Sequence, residues 1–492
     1  MESYDICIIG SGIAGTFAAL RIAEKYKDIR AVVFDIGRPP AKRRRPLEGF
    51  LGCFPTGNGK IYPNNLDTIN SIMDGRKIVR SNQWVMEKLQ ENNPMKLIKD
   101  KYPSKHMEKI LSEHNFSIKM NDYYQWRPEH VHKLSKNVTI SLENSKNVFF
   151  SFDNQVLSIK KDQDCFTINT EECSIECKKI ILCAGRSGWR WVTELYREFD
   201  IIKDNNFAKY GVRIEIPVQH AKELNKSCCT LNRNDLELGP FDWNGSITPE
   251  DHADVVISSF RSNEDRWKSE KLSFSVLKSV YYPNAGVENS DRIGKLSFLL
   301  FNDRVNKERL KSFVKGNSLI SLLPEYSWLP DVAKELDGLF PKITDYAYMY
   351  LPHIFPMAAT VELDQDLQSK IPGLYIVGES ANIRGILGAA VSGCIAANEA
   401  CKSVDVTTES KTNKPIEIIE QKEVEDLEPI LVKDILNNMC SKGERPVPMK
   451  FVAKELNVDI SKFRKIFSQM MKLKIFSKFQ ICRGRTGGIA LK

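Results

Sequence analysis

The sequence predicts an α/β chain: a doubly wound, Rossmann-type dinucleotide-binding domain with an inserted mixed α+β domain, followed by a small basic domain of winged-helix pattern. Three observations predict it. The stretch from Tyr4 to Asp35 reads as a complete βαβ unit. A second strand, glycine and small-residue helix recur from Ile371 to Cys401. The last 64 residues hold fourteen Lys plus Arg against four Asp plus Glu, while the other 428 hold 57 basic and 59 acidic side chains. The overall charge of +8 therefore belongs to the tail.

The first unit opens on Ile6-Cys7-Ile8-Ile9, an apolar run of the length of a buried parallel strand. Gly10, Gly12 and Gly15 follow in G-x-G-x-x-G spacing. Gly10 serves the tight turn, Gly12 the close approach of backbone to a pyrophosphate, and Gly15 the packing of helix on sheet. The helix carries a small apolar face from Ala14 through Phe17, Ala18, Leu20 and Ile22, and its N-terminus offers unpaired N–H groups to phosphate. A second strand, Ala31 to Phe34, ends on Asp35, twenty residues after Gly15, where a carboxylate can bind both hydroxyls of an adenosine ribose. The competing explanation is a flavodoxin-like core with incidental glycines.

Length and composition bound the rest. A chain of 492 residues with 42% apolar and 27% charged side chains has room for two to four globular domains. No run of eighteen apolar residues predicts a membrane span, and Tyr4 enters the fold too early to leave room for a signal peptide. Twelve cysteines are scattered, without a C-x-x-C pair, so neither a zinc site nor a disulfide framework is expected, and a reducing, cytoplasmic setting is. His130 and His132 would share a face on a strand; no metal site is expected from them.

After Asp35 a Pro- and Gly-rich stretch reads as an ordered loop over a ligand, with Arg43, Arg44 and Arg45 able to meet phosphate or simply to be solvated. Gly57-Asn58-Gly59-Lys60 is a second glycine-rich segment suited to a flat ring or a phosphate. Residues 68 to 145 read as a mostly helical, polar insertion. Short alternating strands begin at Asn147, and Ile180 to Cys183 is a buried strand ending on Ala184-Gly185.

From Ile180 onward the chain resembles the uncharacterised FAD-dependent dehydrogenase family of glutathione-reductase-like Rossmann flavoproteins. Gly185-Arg186-Ser187 and Gly211-Val212-Arg213-Ile214-Glu215 carry the resemblance, as does the segment from Leu374 to Gly393. The Gly57 to Lys60 loop is similar to that family's glycine-rich loop beside the flavin, with Thr56 and Asn58 departing from it. The resemblance implies a glutathione-reductase-type fold and FAD rather than NAD as cofactor. Val156 would then place a backbone group on adenine, and Ala184 and Gly185 would pass its adenosine half. Gly378 and Glu379 would reach the pyrophosphate and ribityl side. The helix from Gly385 and Ile386, packed tightly at Ala389, would aim its positive end at the flavin's N1–C2=O edge. Gly59, Lys60 and Arg43 complete the expected cofactor contacts.

The domain plan is a first FAD-binding part over residues 1–215, a substrate domain over 216–349, a closing FAD segment over 350–402, an acidic linker over 403–428 and the basic domain over 429–492. Lys278 to Gly286 reads as a pocket wall or a plain strand end. In the tail, three apolar stripes of helical spacing precede strand, glycine-rich tip and strand, with the wing at Arg483 to Gly488. Lys462, Arg464 and Lys465 on the third helix, with Arg483 and Arg485, are the candidate nucleic-acid contacts. Winged helices also dock proteins and form dimers, so a homo-oligomer is the alternative.

Three functions are consistent with this pattern. The first is an FAD-dependent oxidoreductase. Joined to a basic domain, it suggests a substrate that is, or is attached to, nucleic acid, such as an amine or amino-acid adduct of a base, oxidised or cleaved with the flavin's help. Such a base has to leave the stack to be reached. Candidate catalytic residues are His353, because imidazole titrates near neutrality, Arg384, beside the expected flavin-facing helix, and Lys60. The second is a flavin-based redox sensor that controls DNA binding. The third is a small-molecule oxidoreductase whose tail only dimerises it or docks a protein. Without a second G-x-G-x-x-G unit, an external electron donor or acceptor, or the substrate itself, has to exchange electrons with the flavin.

Overall fold

A computed structural model describes residues 2–40, 58–73, 75–91, 94–252, 255–262, 264–300, 305–355 and 357–404, together with three short strands near the C-terminal end. The chain divides into two compact units, Met1–Val406 and Thr407–Lys492.

The first unit begins with β1 (Glu2–Ile9), α1 (Ile13–Lys25) and β2 (Ala31–Phe34), the predicted βαβ with the predicted bounds for β2. A largely helical insertion follows, including α2 (Gly75–Gln90) and α3 (Pro128–Glu143). His130 and His132 lie on α3, not on a strand, so a spacing of two sends them to different sides. The chain then adds β3 (Val148–Ser151) parallel to β2, a meander of β4 (Val156–Asp162) and β5 (Cys165–Thr170), and β6 (Ser174–Leu182). Helix α4 (Trp189–Glu198) follows β6.

The second sheet is antiparallel. Its long strands are β7 (Phe207–Pro217), β10 (Lys271–Tyr281) and β11 (Tyr348–Ile354), and a hairpin of β8 (Ser246–His252) and β9 (Val255–Arg261) adjoins it. Strands β7 and β11 straddle the expected domain boundaries at 215 and 350, because composition does not mark where a chain changes sheets. Lys278 lies on β10, whose end at Tyr281 makes this stretch a strand end. The chain returns to the first sheet through β12 (Leu374–Ile376) and closes with α5 (Gly385–Lys402).

The first sheet has the parallel order β3-β2-β1-β6, and β12 also runs parallel to β6. Strand β6 shares its outer edge: Ser174 to Cys177 pair with the meander, and Ile180 to Leu182 with β12. Both faces are covered, which explains the unbroken apolar run of β1. Ile6 and Ile8 join the core of α1 and α5, whereas Cys7 and Ile9 join the core of Trp189 and Tyr196 on α4. Helices α1 and α5 nearly touch: a Cβ on Gly393 would lie 2.1 Å from the Ala14 carbonyl oxygen.

The second sheet is two-faced. Tyr210, Val212, Ile214, Ile216, Leu272, Phe274 and Val276 form one apolar core with helix Leu329–Leu339. Alternation turns Arg213, Glu215, Ser273 and Ser275 to the other face.

In the second unit, β13 (Val447–Pro448), β14 (Phe479–Cys482) and β15 (Gly488–Leu491) form an antiparallel sheet in the order β13-β15-β14. Strands β14 and β15 pair antiparallel, and the glycine-rich tip expected between them lies outside the described residues. The three expected helices, Lys462, Arg464 and Lys465, and the wing residues Arg483 and Arg485 lie outside the described residues. Among the described residues no helix is long and apolar enough to cross a membrane, and no group of three or more His, Cys, Asp or Glu is placed to hold a metal ion.

Candidate functional site

The ends of β1, β6 and β12 converge where the chain is richest in glycine. Gly10 has φ +103°, and a Cβ there would sit 2.4 Å from the Cys183 carbonyl oxygen, so the turn tolerates no side chain. A Cβ on Gly15 would lie 1.9 Å from the Gly10 oxygen, which sets how closely α1 approaches β1. Around Gly12 the opposite holds: nothing lies within 4 Å of the position a Cβ would take, and that opening gives a ligand access to the backbone. Helices α1 and α5 both start without a side-chain cap and without an acid in the first turn. Their positive ends are thus available to an anion.

Acids stand at the places the sequence indicates. Asp35 Oδ2 accepts from the Ser11 N–H at 2.6 Å and the Ser11 hydroxyl at 2.7 Å, and its Oδ1 accepts from the Gly37 N–H at 2.7 Å. Glu379 lies 3.4 Å from Arg186 and 3.8 Å from Arg384, and its buried Oε2 has no hydrogen-bond donor. Gly378 packs against Ala14 and Ala389, and Gly385 against Asn65. Gly59 accepts from the Trp126 N–H at 2.6 Å and from the Gln125 amide at 3.1 Å. Val156 is buried at the start of β4, while Ala184 and Gly185 follow β6 directly. Ile386 borders the core of α1 and α5. Arg43 lies outside the described residues. Two uncapped helix starts, an open glycine and two carboxylates fit a dinucleotide whose pyrophosphate lies between helix ends and whose sugar hydroxyls meet acids.

The polar face of the second sheet carries a connected set of charges. Arg213 is 6% exposed and pairs at 3.2 Å with Asp242, which is 3% exposed. Asp242 also accepts from the Asn58 amide at 2.8 Å, and that amide donates to the Tyr62 hydroxyl at 3.1 Å. Lys60 contacts the Cys228 thiol and lies 4.6 Å from the centre of the Tyr123 ring. Burial pulls its ammonium down, but the thiol and Asp242 more than offset this, so Lys60 remains a cation. Burial pushes the Cys228 thiol up, against the pull of Lys60.

His353 is the principal correction. It lies opposite Gly211 in the β7–β11 pair, and its ring reaches past that bare position to β10. Nδ1 donates to the Ser258 carbonyl at 2.8 Å, and Nε2 accepts from the Ser275 hydroxyl at 2.8 Å. Burial, with Arg213 and Arg186 nearby, lowers its pKa from 6.5 to about 3. The imidazole therefore stays neutral and does not titrate near neutrality as expected from its type. Arg384 stacks 3.5 Å above the Phe355 ring, with Lys209 4.9 Å from the same ring. Burial lowers its pKa to about 10, still a cation at neutral pH.

Contacts and fields therefore join the three candidate catalytic residues. Asp242 acts electrostatically on Lys60 and pairs with Arg213, Arg213 and Arg186 act on His353, and Glu379 links Arg186 to Arg384. Arg186 also lies 3.7 Å from Glu250 on β8. Sequence reading missed Asp242, Glu250 and the role of Arg213. The available signal was an arginine between Val212 and Ile214, an inward charge on a strand otherwise built for a core.

Fold and site together define an α/β protein whose first unit sets a Rossmann-type parallel sheet beside an antiparallel sheet with one charged face. No protein-family model matches the chain, and no curated protein sequence matches it. Among solved structures it is similar to a geranylgeranyl bacteriochlorophyll reductase-like protein of Thermoplasma acidophilum, at 12% identity, covering 82% of this chain and 79% of that one, with a TM-score of 0.35. It is similar to glycine oxidase of Bacillus cereus at 13% identity, covering 82% and 96%, with a TM-score of 0.36. A flavoprotein/dehydrogenase of Cytophaga hutchinsonii is similar at 14% identity, covering 82% and 78%, with a TM-score of 0.35.

Proposed function

We propose that this chain is an FAD-dependent oxidoreductase whose substrate lies against the polar face of the antiparallel sheet. One observation carries the reading: a second strand, β12, returns beside β6 and launches an uncapped helix of 18 residues against α1. A site for a single nucleotide half needs only the first βαβ unit. Asp35 and Glu379 would hold sugar and ribityl hydroxyls, and the α1 start the pyrophosphate. The α5 start, with Arg384, would stand where negative charge collects on reduction. FAD, when bound, supplies the two-electron acceptor or donor. The protein's own part is to orient the substrate on the β7, β10 and β11 face and to stabilise charge with Lys60, Arg213 and Arg384. His353, neutral, offers fixed hydrogen-bonding groups rather than a mobile proton. The full-length protein should purify yellow, and acid should release a flavin whose mass is that of FAD. Colourless protein that does not take up added FAD would overturn the reading.

The tail's charge favours a finer version, in which the substrate is, or is attached to, nucleic acid. Fourteen cations in the last 64 residues make phosphate contact electrostatically natural. Full-length protein and a version ending at Glu428 should be titrated with duplex and single-stranded DNA and RNA at several salt concentrations. Binding that needs the tail and falls steeply with salt is expected. Equal binding by both versions would sink the nucleic-acid reading and leave dimerisation or protein docking for the tail.

A further inference from the structure

Inside the charged face lie hydrogen-bond donors without a hydrogen-bond partner among the described residues. Arg213 is 6%, Ser273 1% and Thr248 5% exposed, and Arg213 Nε, Ser273 Oγ and Thr248 Oγ1 have no hydrogen-bond partner. Arg213 and Ser273 are neighbours by register. Ser273 stands opposite both Asp242 and Glu215, and Arg213 opposite Ser275, so Arg213 and Ser273 share one face of β7 and β10. Thr248 lies two residues before Glu250 on β8, on the same side of that strand, and Glu250 acts electrostatically on Arg213. A buried donor left unsatisfied is destabilising, because it loses its hydrogen bonds to water and gains none in return. Two on one face, with Thr248 on the adjoining hairpin, point to a ligand group that accepts several hydrogen bonds.

The neighbouring charges narrow its chemistry. Arg213 is a cation, so the group is an anion or strongly electronegative. Asp242 and Glu250 stand beside it, and a dianionic phosphate would face both carboxylates at close range. A monoanion with two oxygens suits an arginine fork better. We infer that the substrate carries a carboxylate, held by Arg213 Nε with the hydroxyls of Ser273 and Thr248. The inference rests on the reading of this face as the substrate side of a flavin site, and it makes Arg213 a specificity-determining residue.

Calorimetric titration of the full-length protein with acetate, propionate and benzoate tests this without relying on flavin. Carboxylate binding is expected, about tenfold or more weaker in Arg213→Gln and partly restored in Arg213→Lys. Arg233→Gln, which removes a cation paired with Glu335 elsewhere, should bind as the natural chain does. Should Arg213→Gln not fold, the double variant Ser273→Ala, Thr248→Val is expected to weaken binding severalfold. In the FAD-loaded protein the same carboxylates should perturb the visible flavin spectrum. Absence of carboxylate binding, or inorganic phosphate binding as tightly as acetate, would overturn the inference. Carboxylate binding lost with Arg213 in a protein that takes up no FAD would uphold the carboxylate site and remove the flavin reading alone.

Discussion

The two sheets of the first unit are built in opposite ways. Around the parallel sheet the working surface is backbone: glycines, two helix starts and a carboxylate already held by Ser11. Its interior is apolar, with Ala14, Ala390 and Cys394 packed between helices. The antiparallel sheet keeps an apolar core on one face only and places Arg213, Asp242 and His353 on the other. Backbone recognition suits a constant ligand such as a dinucleotide, since shape alone decides the fit. Side-chain recognition suits a particular substrate, since one substitution changes the charge pattern. On the proposed function, specificity would fall to β7, β10 and β11 and cofactor dependence to β1, β6 and β12.

Substitutions can break this contrast. The largest expected effect is Asp242→Leu, which strands Arg213 in the interior and should cost about 3–5 kcal/mol of stability in chemical denaturation. Adding Arg213→Met should recover most of that loss, and if it does not, the pair has some role beyond mutual neutralisation. Next comes Gly15→Val, whose Cβ would meet the Gly10 oxygen. It should destabilise by about 3 kcal/mol or more and reduce flavin content along with folded yield. Asp242→Leu, by contrast, should leave the flavin content of its folded fraction intact.

His353 sharpens the contrast through pH. Above 6.5 folded and unfolded chains both hold it neutral. As pH falls, the unfolded chain takes up a proton that the folded chain refuses until about pH 3, so stability is lost across that window. Denaturation midpoints measured from pH 7 to 4 should fall more steeply for the natural chain than for His353→Gln. Equal slopes would show that the imidazole is protonated in the fold. The smallest effect is expected at Phe355→Leu, which removes the ring between Arg384 and Lys209 at a cost of about 0.5–2 kcal/mol, read as a small drop in melting temperature.

How far these features could be read from sequence follows the same division. The bounds of β2, the turn at Gly10 and the helix from Gly385 were legible because each need is local: a run of buried residues, a missing Cβ, a helix start. The pairing of Asp242 with Asn58 and Arg213 was not, since its members come from separate parts of the chain and only strand pairing brings them together. His353 shows the same limit, as its residue type suggests titration near neutrality and its burial forbids it. His130 and His132 fall on α3, within the stretch read as mostly helical, so the shared face they would have on a strand does not arise. The basic tail was legible as charge, and of its expected elements the described residues hold only short strands, β14 and β15 among them.

If a dinucleotide binds as proposed, the Ser11–Asp35 contact has a kinetic consequence. The carboxylate is already oriented, with Ser11 occupying one of its oxygens. An arriving ribose meets a prepared acceptor and must share it with, or take it from, the serine. Loading then becomes an exchange of hydrogen-bond partners rather than the ordering of a loose side chain. Ser11 would thus act as a placeholder, easing both entry and escape of the sugar, and the residence time of the nucleotide would be set as much by this small hydroxyl as by the acid it holds.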